Sequence, residues 1–233
     1  MPRNPPRRTR VDTRAAAIGT EISFYQRLLA RDEDGAAEIA RGRQPGLGRA
    51  AVMDELVIPG LALAARDLAR REISADDHAF IVVGSRDIAL HLEPRGRDVR
   101  VPSPVRAVGV AAHRSDGEVL LEMLAGELAP EAGRLEVLPS TATLEEVLTR
   151  IDRLSPEVVC VGFFPPEGGP DARRVCQVLR ARFPDLAVVA FRPSEPGVEP
   201  SLAAERLRDA GADVVVATLA EATAELATRL GPR

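Results

Sequence analysis

The stretch Val158-Val-Cys-Val-Gly-Phe-Phe-Pro-Pro-Glu-Gly-Gly-Pro-Asp-Ala-Arg-Arg-Val-Cys-Gln-Val-Leu-Arg-Ala-Arg-Phe183 decides the fold class. It opens with an apolar run and closes with an amphipathic segment, which is typical of a buried strand followed by a helix. The same pairing recurs along residues 102–230. Apolar runs at residues 105–112, 135–138, 158–164, 187–191 and 214–217 alternate with amphipathic segments at residues 118–128, 144–154, 172–183, 202–210 and 221–230. Regular alternation predicts an α/β domain with a parallel, doubly wound sheet covered by helices on both faces.

A sheet of this class binds its ligands at a definite place. We expect a flavodoxin-like (Rossmann-like) sheet of five strands in the order 2-1-3-4-5, with its ligand crevice at the carboxyl ends of the strands. The fold by itself does not name a function, because many unrelated activities use the same sheet.

The remaining residues are predicted to form three further regions. Residues 1–19 are rich in proline and arginine without apolar periodicity, which predicts a disordered basic arm. Residues 20–92 carry helical patterning, which predicts a small helical bundle. Within it, a short helix around residues 36–39 is expected to end at the Gly/Pro-rich turn at residues 42–48. Residues 93–104 are a charged, proline-bearing linker, and residues 105–233 form the α/β domain.

Composition bears on compartment and partners. The formal net charge of −4 gives no general attraction to nucleic acid or to an anionic membrane. No segment approaches the roughly 20 apolar residues that a membrane-spanning helix needs. We therefore expect a cytoplasmic chain that does not insert into membranes and binds no nucleic acid sequence-specifically. Cys160 and Cys176 form no metal or redox motif and are expected to be buried thiols.

The sequence gives little support to catalysis. It contains no Gly-x-Ser-x-Gly elbow, no phosphate-binding glycine motif and no cluster of metal ligands. A phospho-acceptor receiver domain would need acidic residues after the first and third strands, where this chain has alanine and phenylalanine. We therefore expect no enzymatic activity.

Two short stretches carry a resemblance to a known family. The stretch Arg71-Glu-Ile-Ser-Ala-Asp-Asp-His-Ala-Phe80 resembles the end of the helical cap in cobalamin (B12)-binding modules. Asp77-His78 falls on the Glu-His pair of the light-sensing, transcription-regulating branch. The loop Ala111-Ala-His-Arg-Ser-Asp-Gly117 resembles the family's Asp-x-His-x-x-Gly, whose histidine can be the lower cobalt ligand. The resemblance implies a bundle packed over the sheet and places His113 below the metal.

Several positions depart from the family's pattern. Ala111 stands where the family has the aspartate that polarises the histidine, and Asp116 stands where it has glycine. The family's Ser-x-Leu reads Gly162-Phe-Phe164, and its Gly-Gly reads Ala190-Phe191, where the nucleotide tail of cobalamin would thread. These departures put corrinoid binding in doubt.

A narrower resemblance agrees with these losses. The strings at residues 24–31, 57–64 and 180–186 resemble a soluble module behind the membrane domain of some transporters similar to autoinducer-2 exporters. In those modules the fold persists while the corrinoid motifs have decayed. The resemblance implies a transporter-associated accessory or sensor module.

We therefore expect a noncatalytic regulatory sensor or interaction module without a cofactor, whose partner is a protein or a small molecule, with a homo-oligomer also possible. The alternative is a cobalamin-binding regulatory protein that uses His113 as a cobalt ligand, with His78 as the candidate for a second one. Only in this alternative would His113 bind a metal. The candidate crevice residues are His113, His78, Asp116, Gly117, Gly162 and Phe164.

Each candidate also has a purely structural interpretation. His113 can be a solvated or capping residue, and His78 can be a helix-surface residue held by Asp76 and Asp77. Phe163 or Phe164 can plug the former cavity, or Phe164 and Glu167 can line a smaller pocket.

Overall fold

The computed structural model describes residues 19–92, 103–194 and 200–231. Residues 1–18 of the predicted arm and residues 93–102 of the predicted linker lie outside the described residues. The described chain begins with helices that pack together through apolar side chains. Their bounds are α1 Thr20–Leu29, α2 Glu33–Leu47, α3 Arg49–Val52, α4 Ile58–Ala69 and α5 Ala75–His91.

The predicted sheet is confirmed, including its strand order. The strands are β1 Val105–Ala111, β2 Arg134–Val137, β3 Val158–Gly162, β4 Ala187–Phe191 and β5 Val214–Val216. They pair in parallel in the order β2-β1-β3-β4-β5. The helices after the strands are α6 Ser115–Glu127, α7 Leu144–Leu154, α8 Gly169–Arg182, α9 Pro200–Asp209 and α10 Leu219–Arg229.

Apolar residues along each strand serve two different cores. In β3, the side chains of Val158 and Cys160 join α6, α10 and the bundle, whereas Val159 and Val161 join α7, α8 and α9. This alternation follows from the two-residue period of a strand. The bundle therefore shares one continuous core with one face of the sheet.

The predicted turn at residues 42–48 is wrong for most of its length. The short helix expected there extends as α2 through Gly42 and Pro45 to Leu47, and the chain turns at Gly48, whose φ is 82°. Ala36 and Ala40 are fully buried one turn apart, so α2 is fixed by packing rather than by propensity. The glycine and proline residues at positions 42–46 predicted a turn, but packing of the buried face of α2 keeps this segment helical.

Candidate functional site

The loops that follow β1 and β3 meet at the carboxyl edge of the sheet, because these two strands are neighbours. His113 lies in the first loop, and its Nδ1 is 2.6 Å from Oδ2 of Asp171 in the first turn of α8. Both side chains are partly exposed. The carboxylate of Asp171, which comes from the helix after a different strand, therefore orients the imidazole of His113.

A second contact joins the same two loops. Arg114 forms an ion pair with Oε2 of Glu167, which also lies 4.0 Å from Nε2 of His113. Both ring nitrogens of His113 thus face carboxylates, one from the loop after β3 and one from the first turn of α8. Because these carboxylates lie beside different nitrogens of the ring, they do not form one metal site with it.

His78 lies inside the molecule, which contradicts its interpretation as a surface residue held by Asp76 and Asp77. Its exposure is 5%, and its Nε2 is 3.3 Å from Oδ2 of Asp116. The ring N–H is not aligned for a hydrogen bond, so this contact becomes an ion pair only when the imidazole is protonated. Asp77 instead accepts from Ser74 as a helix cap and pairs with Arg31.

Asp116 is buried beside His78 and occupies the first turn of α6. Its Oδ1 accepts a hydrogen bond of 2.7 Å from the backbone N–H of Gly117. One oxygen of the carboxylate is thus hydrogen-bonded within α6, and the other lies against the imidazole of His78 on α5. These two candidate site residues come together, but they lie within the core.

Gly117 and Gly162 form a close backbone contact between α6 and β3. A Cβ placed on Gly117 would lie 2.6 Å from the carbonyl oxygen of Gly162. A Cβ on Gly162 would lie 2.7 Å from Cγ of Leu121. The two glycines therefore allow helix and strand to approach closely, and they leave no open space between them for a ligand.

The phenylalanines that follow β3 point into opposite cores. Phe163 packs with α7 and α8, whereas Phe164 packs with the shared core of bundle and sheet, as does Phe191 at the end of β4. All three side chains are at most 4% exposed. The interpretation of Phe163 or Phe164 as a plug agrees with this burial, and the side chain of Glu167 is exposed whereas that of Phe164 is buried.

Cys160 and Cys176 are buried free thiols, as expected from the sequence. Desolvation by burial raises the pKa of Cys160 to about 12 and that of Cys176 to about 11. Since the thiolate is the reactive form, neither thiol is a nucleophile at neutral pH. Across the described ranges, no group of three or more His, Cys, Asp or Glu residues could hold a metal ion.

Asp171 and Arg114 were missed as site residues by the sequence interpretation. A signal was available for Asp171, because an acidic residue shortly after Pro170 marks the first turn of a helix. With β1 beside β3, that helix start had to lie near the loop of His113. Pairing Asp171 with His113 would have required combining the strand order with this helix start.

One surface cavity of about 430 Å³ lies away from this crevice. Its lining includes Glu157 and Leu186, which directly precede the amino ends of β3 and β4. In the part of the chain that the structure covers, no helix combines the length and the apolar character needed to cross a bilayer.

Comparisons with known proteins show which solved structures have a similar fold. No protein-family model and no curated protein matches the chain. Among solved structures, it is similar to the monomethylamine corrinoid protein of Methanosarcina barkeri, with a TM-score of 0.59 and 11% identity over 88% of this chain and 96% of that chain.

Two other solved structures have lower scores. The methanol:cobalamin methyltransferase complex MtaBC from Methanosarcina barkeri has a TM-score of 0.43 and 12% identity, over 92% of this chain and 80% of that chain. A cobalamin-binding protein from Desulfitobacterium hafniense DCB-2 has a TM-score of 0.41 and 15% identity, over 90% of this chain and 98% of that chain. The likeness to the monomethylamine corrinoid protein shows that this chain has a cobalamin-binding-like fold, a helical bundle over a Rossmann-like sheet.

Proposed function

We propose that this protein is a noncatalytic sensor or interaction module that keeps a cobalamin-binding-like fold while its own side chains fill the corrinoid crevice. The observation that carries the proposal is the shared core of bundle and sheet. Phe164 and Phe191 are buried in this core, at the positions where the resemblance places the tail of cobalamin.

Two further contacts support a filled crevice. The close approach of Gly117 to Gly162 leaves no gap between α6 and β3. The buried His78 faces Asp116 across the boundary of α5 and α6 rather than an open space. The residues present therefore do not fit a bound corrinoid, since protein interiors are packed too tightly to admit one without rearrangement.

We infer that such a module acts by binding a protein partner. The narrower resemblance to modules behind the membrane domain of transporters suggests a regulatory role beside a transporter. This association with a transporter stays a prediction.

Corrinoid binding is the second candidate, and one observation favours it. Asp171 holds His113 at 2.6 Å and supplies the acceptor that the local motif lacks. A carboxylate behind the imidazole fixes the ring and raises its basicity as a ligand. In this candidate His113 would hold the cobalt from below, whereas His78 would first have to leave Asp116.

The deciding experiment is a visible absorption spectrum after incubation with hydroxocobalamin and desalting. We expect a colourless protein. The variants His113→Ala and His91→Ala are measured in parallel, because His91 lies exposed at the end of α5 and provides a matched control. Retained colour that is lost in His113→Ala and kept in His91→Ala would overturn the proposal and establish the corrinoid candidate.

A further inference from the structure

The outer face of α5 exposes two large apolar side chains to solvent. Among the described residues, the large apolar side chains with high exposure are Val83, Leu90 and Leu202, at 55%, 65% and 60%. Val83 and Leu90 lie seven residues apart, two helical turns, and therefore on the same side of α5. The opposite side of this helix packs into the bundle through buried residues such as Ile81 and Ile88.

Opposite charges lie between these two apolar side chains. Arg86 and Asp87 are both exposed. Arg86 lies four residues before Leu90, and Asp87 lies four residues after Val83. Residues four apart share a helix face. We call Val83, Arg86, Asp87 and Leu90 the α5 stripe.

The α5 stripe is complementary to itself under a twofold axis. If a second copy of α5 runs antiparallel and the axis passes between Arg86 and Asp87, Val83 lies opposite Leu90 of the second copy. The same axis places Arg86 opposite Asp87 of the second copy, and both pairs occur twice. Self-complementarity of this kind is what an isologous dimer interface requires.

We propose that the α5 stripe is the interface of a homodimer in which two α5 helices pack antiparallel. Burial of Val83 against Leu90 removes apolar surface from water, and the Arg86–Asp87 pairs fix the register and direction. Arg86 also contacts Glu122 and Glu118 of its own chain, with 44% of its side chain still exposed. Part of the Arg86 side chain thus stays open to solvent, where the carboxylate of a second copy can contact it.

The mass in solution tests the interface. The wild-type protein should have about twice the chain mass of 25.0 kDa by light scattering or sedimentation equilibrium. The variant Val83→Lys/Leu90→Lys should weaken the dimer about a hundredfold or more, because it removes the apolar centre of the contact. The control Leu202→Lys changes an equally exposed leucine on α9 and should remain dimeric. A monomeric wild type, or a dimer that survives Val83→Lys/Leu90→Lys, would overturn the proposal.

Cross-linking tests the direction of the helices. Because Cys160 and Cys176 are buried, introduced surface cysteines react selectively. The variant Val83→Cys/Leu90→Cys should form a covalent dimer under mild oxidation, whereas neither single variant should do so. A covalent dimer of Val83→Cys alone would place Val83 opposite itself, as in a parallel pair, and would contradict the antiparallel arrangement.

Discussion

At Gly117 the first turn of α6 comes so close to β3 that only a hydrogen fits on the α-carbon. The variant Gly117→Ala should destabilise the fold by about 1–3 kcal/mol, because its methyl group meets the rigid backbone oxygen of Gly162 rather than a movable side chain. The free energy of unfolding in urea, measured by circular dichroism, gives this difference directly.

Gly42 provides the matched control within a helix. A Cβ there meets nothing within 4 Å, and the residue lies inside α2. The variant Gly42→Ala should therefore stabilise the protein by about 0.5–1 kcal/mol, since alanine loses less backbone entropy than glycine in a helix. If both variants had equal effects on stability, the close contact at Gly117 would not matter energetically.

The histidines show how far residue-level prediction from sequence can go. Helical patterning over residues 20–92 predicted the kind of element that carries His78, but the rotation of this helix toward α6 depends on packing among several helices, which no local signal records. His113 was placed correctly at the end of a strand, while its partner Asp171 is 58 positions away. Partners so distant in sequence become visible only when the strand order and the helix starts are combined.

At the scale of elements, the segment between α3 and α4 joins the bundle to the α/β domain. Residues Met53–Val57 form a π-helical turn, closed by the backbone N–H of Ile58 donating to the carbonyl of Met53. Pro59 follows at the start of α4, where its missing N–H costs little. A proline such as Pro59 can either kink a helix or begin one, and here it lies in the first turn of α4.

The π-helical turn places Asp54 at the amino end of α10. The carboxylate accepts hydrogen bonds from the backbone N–H groups of Leu219 and Ala220, at 2.5 and 3.0 Å. One domain thus caps a helix of the other, which satisfies donors that an isolated helix end leaves unpaired. This cap is a specific polar link between the bundle and the α/β domain.

The variant Asp54→Ala should lower the free energy of unfolding by about 0.5–2 kcal/mol, the usual cost of losing a helix cap. Chemical denaturation measures the loss. Glu55→Ala is the control from the same turn. Glu55 forms an exposed ion pair with Arg43, so its loss should change stability by less than about 0.5 kcal/mol. Equal losses in the two variants would show that the link between Asp54 and α10 contributes nothing.

At the scale of the whole molecule, the sequence was most informative about the α/β domain. Apolar runs alternate with amphipathic segments along this domain, so the order and type of its elements follow from periodicity. The bundle was less predictable, since small residues such as Ala36 and Ala40 carry its contacts and leave a weak pattern. The burial of Phe164 could not be predicted from either part alone, because this side chain packs in the core that the two parts share.

The shared core predicts that the bundle and the α/β domain unfold together. Buried side chains of both parts belong to it, among them Phe24 and Leu56 of the bundle and Leu120 and Leu226 of the α/β domain. Separating the two parts would expose this surface to water, so neither should persist alone. Tyr25 is a specific probe of the bundle, because the chain has one tyrosine and no tryptophan.

Urea unfolding followed by Tyr25 fluorescence and by far-ultraviolet circular dichroism should therefore give one midpoint. The sharper measurement uses Leu179→Ala, which removes a fully buried side chain of α8 from the core that does not contain the bundle. This variant should lose about 2–5 kcal/mol, and the midpoint reported by Tyr25 should fall as much as that reported by circular dichroism. If the Tyr25 midpoint stayed at its wild-type value while the dichroism midpoint fell, the bundle would be an independent folding unit.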